Sequence, residues 1–214
     1  MIVELSSPYS VQLVSRQVRA IDPLYREQVN ALWNPLLINT PVVSVLSCDR
    51  EGIVGELIEY KLCYACSVLP SLSAKLSVAP LCVSGRTFWG DKLLIGRRSG
   101  CVSTYRNMWE LAPSGGVDIS CVCEDGSVDV EGALLAELEQ EAAIGPEGVQ
   151  SITLKWVYYS QEDNTWDVCG DIVLTKDEHP VYASDEYETL VWKDPSQLDM
   201  DDTWVPLSRK LLQL

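Results

Sequence analysis

Basic side chains, histidine and long apolar runs are what this 214-residue chain has least of, and each scarcity closes off a class of function. The 16 Lys and Arg residues face 31 Asp and Glu, leaving a net charge of −15. A surface that acidic repels phosphate backbones and anionic headgroups, which excludes nonspecific binding to nucleic acid or to a membrane surface. No apolar run is long enough for a membrane-crossing helix, and the opening MIVELSSPYS lacks the basic and apolar regions of a secretory signal. A soluble, cytoplasmic protein is expected, and 47% apolar residues predict a globular one.

His179 is the sole histidine, which leaves little for a zinc site. Cys63-Tyr-Ala-Cys66 has the spacing of half such a site, but Cys121-Val-Cys123 is too tight to supply the other half. The eight cysteines are expected as reduced thiols used as small hydrophobes, with no structural zinc.

Internal repeats, low-complexity tracts and linkers are absent too, so the chain is not divided into independent domains. Residues 1–75 carry no chemical motif. They predict an α/β extension: VQLVSRQVRA as strand or helix, a helix opening at Asp22-Pro23, a strand in TPVVSVLSC and a turn at 49–52. From residue 76 the pattern sharpens. LSVAPLCVSGRTFW and KLLIGRRS read as strands joined by a Gly90-Asp91 turn, and MWELAP as a third. SITLKWVYYS, WDVCGDIVLT and YETLVWK add three more, and PLSRKLLQL closes the chain as an amphipathic helix. Residues 76–214 thus form one α+β domain, a mixed sheet sandwiched between helices.

The chain is organised around residues 109–145. A strand-like run leads to a Gly115-Gly116 turn, then an acidic loop, then a helix carrying Glu137, Gln140 and Glu141 at i, i+3 and i+4. Leu134, Leu135, Leu138 and Ala142 give that helix its apolar side. Two carboxylates one turn apart, facing a glycine turn that a ligand can approach closely, suit a hard divalent cation bridging phosphate oxygens. The chemistry implied is metal-assisted work on phosphate.

This stretch resembles the Nudix box, G-x5-E-x7-R-E-U-x-E-E-x-G-U, where U is a bulky aliphatic residue. With Gly116 as the opening glycine, Ala136 to Ile144 align with the second half; Glu137 and Glu141 fall on the two glutamates that most consistently bind metal, and Leu138 and Ile144 on the aliphatic positions. Ala136 replaces the arginine, Gln140 a glutamate and Ala143 the late glycine. The loop is about six residues longer than the pattern, which puts Val128 where the upstream glutamate belongs. The interrupted box and the extension before it resemble the layout of UDP-glucose-type Nudix hydrolases.

That resemblance implies the Nudix fold and Mg²⁺, with Mn²⁺ as a substitute, held by Glu137, Glu141 and the weaker ligand Gln140. It implies a carbonyl before the glycine turn in the coordination sphere, with Gly115 and Gly116 against the substrate, and a loop carboxylate after residue 184 acting as base, for which Glu188 is the choice over Asp185 and Glu186. Arg97 and Arg98 end a strand where a guanidinium fork suits phosphate. Loop acids Glu124, Asp125, Asp129 and Glu131 are available to offset the lost carboxylates, and Glu110 is placed to face either the site or solvent. The substrate implied is a nucleoside diphosphate derivative such as a UDP-sugar, and the fold admits a homodimer. Two functions stay open: a pyrophosphate-cleaving hydrolase, or a nucleotide-binding regulatory module without turnover, favoured by Ala136, Gln140 and Val128.

Overall fold

The structure is a computed structural model that describes residues 1–6, 8–177, 179–182, 184–200 and 203–214. Strands β1 (Ile2–Glu4) and β2 (Ser10–Val18) precede helix α1 (Pro23–Leu32), strands β3 (Pro41–Cys48) and β4 (Gly52–Glu59), and helices α2 (Tyr60–Val68) and α3 (Ser71–Leu76). Then come β5 (Leu81–Trp89), β6 (Lys92–Arg98), β7 (Trp109–Leu111), β8 (Ser114–Gly116), α4 (Val130–Ala142), β9 (Val149–Ser160), β10 (Thr165–Leu174), β11 (Tyr187–Lys193) and α5 (Pro206–Leu211). An eight-stranded sheet has the order β1-β9-β10-β5-β6-β11, with β7 paired to β6 and β8 to β5; a three-stranded sheet has the order β2-β4-β3. The architecture is α+β, a large sheet flanked by helices, as the pattern of runs predicts. Among the described residues no helix is long and apolar enough to cross a membrane.

Contacts group the chain into two compact units. The first comprises Met1–Cys82, Gly116–Val130 and Val157–Val168. In it Asp22 caps α1, accepting the Leu24 N–H at 2.9 Å with Pro23 in the first turn, an arrangement worth about 1 kcal/mol. Ile21, Val29, Ile58, Leu62, Ala65, Leu72, Leu76 and Val78 form a core that joins α1, α2 and α3 to β4. The turn at 49–52 is closed by Asp49, whose carboxylate accepts the N–H groups of Glu51 and Gly52. VQLVSRQVRA resolves as strand: β2 pairs parallel with β4, while β3 pairs antiparallel with it. Helix α3 had no clear signal, because its six residues span too few turns to show a period.

The long loop of the first unit is ordered. Asp118 caps a 3-10 turn over Ile119–Cys121, and Asp125 accepts both the N–H and the O–H of Ser127. Strand β2 clamps this loop: the Leu13 N–H donates to the Gly126 carbonyl, the Val128 N–H donates to the Val11 carbonyl, and the Gln12 side chain donates to the Asp125 carbonyl at 3.0 Å. Val128 is buried. The position aligned with a family carboxylate therefore faces the core, and Asp125 spends its charge on the turn.

The second unit comprises Val83–Gly115, Glu131–Trp156 and Cys169–Leu214. Gly90 and Asp91 make the two-residue hairpin between β5 and β6, pairing Phe88 with Leu93 and Trp89 with Lys92. Strand β6 also pairs antiparallel with β7 and β11, setting Gly96 opposite Glu110 and Leu190. Leu94, Leu111, Leu134, Leu138 and Ile172 fill the core. Asp171 on β10 is gripped by two cations, by Arg86 in a two-pronged pair at 2.7 and 3.0 Å and by Lys155 at 2.6 Å. Arg86 also donates to the Leu211 carbonyl, holding the end of α5, and lies 4.6 Å over the Trp156 ring.

Candidate functional site

Helix α4 carries Glu137 and Glu141 one turn apart, but the two carboxylates meet different surroundings. Glu141 is 2% exposed and Glu137 is half-buried. An α-helix advances about 100° per residue, so Glu141 lies about 20° from Leu134 and falls inside the buried stripe; Gln140 lies about 120° away. Gln140 is accordingly exposed, as are Ala136 and Glu139, and the structure does not bring Gln140 in beside Glu141. The i, i+3, i+4 spacing puts the three residues near one another, but the edge of the core divides them.

Ser114 to Gly116 are the short strand β8 rather than a turn, and neither Gly115 nor Gly116 has a positive φ. What Gly115 supplies is room: a Cβ there would overlap the Glu137 carboxyl. Glu137 thus lies directly against the strand, where any side chain would displace it. Gly116 is exposed with open space around it.

Around Glu141 the second unit assembles more acid. Glu110 on β7 is 4% exposed and ion-paired with the Arg98 guanidinium. The Tyr187 hydroxyl, on a residue 2% exposed, lies 3.2 Å from one oxygen of Glu110 and 3.2 Å from one oxygen of Glu141. That same Glu141 oxygen accepts the Ser114 N–H at 3.3 Å. The other oxygen, Oε1, is buried with no hydrogen-bond partner. Burial holds the Glu141 carboxyl well above the usual carboxylate range, and the negative charges of Glu110, Glu186 and Glu137 push it further the same way. Burial also raises Glu110, against the pull of Arg98. Tyr187 stays a neutral donor, its pKa raised by burial and then by the two carboxylates.

The arginines divide. Arg98 is spent on Glu110 inside the unit, so it is not a free phosphate fork; Arg97 is 46% exposed at its side chain. Arg97 approaches Glu188, itself 59% exposed, at 3.9 Å. Glu188 follows Tyr187 on β11 and is exposed where Tyr187 is buried, so the structure does not bring it to the Glu137–Glu141 pair. Glu186, half-buried, is the acid of that segment whose charge acts on Glu141. Glu110 and Tyr187 are the site residues least visible in sequence. A lone carboxylate in the apolar run MWELAP was the available signal for Glu110; Tyr187 gave none, since a strand tyrosine ordinarily marks core.

Among the described residues no three His, Cys, Asp or Glu side chains form a ready-made metal cage. Mg²⁺ does not require one, because it keeps several waters and takes one or two carboxylates together with substrate phosphate. Two features fit a divalent cation: the unpartnered Glu141 oxygen in a concentration of negative charge, and the space that Gly115 leaves for the Glu137 carboxyl. An uncompensated buried carboxylate is costly, and a cation is its natural counter-charge. None of the eight cysteines is in a disulfide; Cys66 and Cys169 are buried, and Cys101 and Cys123 exposed.

No family model matches the sequence, and no curated protein matches it. Among solved structures, the chain is similar to a Nudix hydrolase from Nitrosomonas europaea, with 16% identity, covering 63% of this chain and 69% of that one at a TM-score of 0.48. It is similar to a MutT Nudix hydrolase from Burkholderia pseudomallei, with 19% identity, 63% and 96% covered and a TM-score of 0.44. The Nudix domain of Shewanella oneidensis NrtR, complexed with ADP ribose, gives 16% identity, 68% and 94% covered and a TM-score of 0.48. Likeness at this level carries no argument about activity, which rests on the residues of the site.

Proposed function

We propose that the chain is a Nudix-type, Mg²⁺-dependent hydrolase that cleaves the pyrophosphate of a nucleoside diphosphate linked to a further moiety, a UDP-sugar being one such substrate. The observation that carries this reading is the buried, unpartnered oxygen of Glu141 among Glu110, Glu137 and Glu186. Glu137 and Glu141 would hold the cation, whose charge polarises a phosphoryl oxygen and lowers the pKa of the attacking water. Arg97 offers the exposed guanidinium for the phosphate, while Arg98 keeps Glu110 in place. Glu186, rather than Glu188, orders the water and takes its proton as the water oxygen bonds to phosphorus and the bridging P–O bond breaks. In this reading residues 76–214 are the catalytic domain and residues 1–75 its extension.

A second reading, a binding module without turnover, draws on buried Val128 and exposed Gln140, which leave the site short of carboxylates. One experiment separates the two: product analysis with Mg²⁺ and a panel of UDP-sugars, ADP-ribose, NADH and nucleoside triphosphates, with Glu141→Gln alongside. Metal-dependent products lost in the variant support the hydrolase. Ligand-induced thermal stabilisation with no product selects the module.

A further inference from the structure

We propose that Tyr187 is a positioning residue that fixes Glu141 as a one-oxygen metal ligand, its hydroxyl and the Ser114 N–H engaging one carboxylate oxygen so that only the other faces the cation. This deepens the hydrolase reading and rests on its assignment of Glu141 as a metal ligand. The geometry is specific. The phenol oxygen lies 3.2 Å from Oε2 of Glu110 and 3.2 Å from Oε2 of Glu141, yet it has a single proton to give. Arg98 already donates to that Glu110 oxygen in a buried ion pair. With Glu110 supplied, the Tyr187 proton is left for Glu141.

Both donors to Glu141 converge on Oε2, and Oε1 receives none. A carboxylate held through one oxygen on two sides loses its freedom to rotate into two-oxygen chelation. The backbone keeps the ring in place, because Gly96 on β6 lies directly under it and any Cβ there would strike the ring. The chain Arg98–Glu110–Tyr187–Glu141 therefore runs from β6 through β7 and β11 to α4 inside one unit. It aims a single oxygen, while Glu137 is placed independently against Gly115.

The test is titration of the intact protein with Mn²⁺ alone, following the free-ion signal by electron paramagnetic resonance, in wild type, Tyr187→Phe and Glu141→Gln. Tyr187→Phe keeps the ring and removes only the hydroxyl. The expected result is Mn²⁺ affinity about tenfold or more weaker in Tyr187→Phe, with an unchanged far-ultraviolet circular dichroism spectrum, and loss of the site in Glu141→Gln. Unchanged affinity in Tyr187→Phe beside a weakened Glu141→Gln overturns the positioning role and leaves Glu141 as ligand. A lowered melting temperature without an affinity change does the same, because it marks the tyrosine as purely structural. If Glu141→Gln binds Mn²⁺ like wild type, the metal reading falls and the positioning role falls with it.

Discussion

Two carboxylates of the second unit, Asp171 and Glu141, were given opposite surroundings. Asp171 meets Arg86 and Lys155 at hydrogen-bonding distance, and these cations hold its pKa below the usual 3.8 despite partial burial. Glu141 is more deeply buried, meets no cation of the protein among its described partners, and is pushed above the usual 4.5. An acid satisfied by its own chain ties strands together. One left unsatisfied at greater depth lowers the stability of the fold, and that cost is explained by a ligand supplying the missing charge.

Glu141→Gln should break the contrast most sharply. Turnover falls about 10³-fold, while the metal-free melting temperature at pH 8 rises by about 3 °C, or roughly 1 kcal/mol for a chain of this size. Between about pH 4.5 and the folded pKa of Glu141, the native state keeps a proton that the unfolded chain has released, so its contribution to stability falls as pH rises. In the variant that slope disappears from a melting curve measured against pH. Asp171→Asn is the mirror test: loss of about 2 kcal/mol in denaturant unfolding, with Mn²⁺ affinity intact. The Asp171 contribution is complete above pH 3.8 and is lost as pH falls through its lowered pKa, so wild type and variant converge in acid.

Gly115→Ala sharpens the comparison from the Glu137 side. The added methyl displaces only the end of a flexible side chain, so the fold keeps its stability while Mn²⁺ affinity and turnover drop about tenfold. The smallest effect is expected from Ala143→Gly. Ala143 follows the last residue of α4 with φ 57°, its N–H bonded to the Glu139 carbonyl. Relief of that left-handed alanine should add about 1 kcal/mol in the same unfolding assay, with no change in metal affinity.

Much of this architecture was legible because it obeys local rules. Apolar runs marked β5, β6, β9, β10 and β11, Asp22-Pro23 marked the start of α1, and Gly90-Asp91 marked the hairpin. The helix bearing Glu137 and Glu141 could be placed from its leucines. The partners of those glutamates could not, because Arg98, Glu110 and Tyr187 meet only through the register of β6 with β7 and β11, and register is a long-range property. Gln140 and Glu188 are exposed, which spacing does not reveal for a related reason: a count says which residues are neighbours, not where the core ends. The Gly115-Gly116 pair reads as a turn open to a ligand, whereas Gly115 lies in a strand and its close approach is to the Glu137 carboxyl.

The clamp between β2 and the 117–129 loop makes two parts of the sequence one structural unit. Gln12 and the backbone of Val11 and Leu13 spend their hydrogen bonds on Asp125, Gly126 and Val128, so the lengthened loop and the N-terminal strand complete each other. Shortening the loop to the length of the family pattern would strip partners from the strand, and deleting the strand would strand the loop's amides. The loop and the strand therefore stand or fall together, and an engineer trimming this chain would have to remove both or neither.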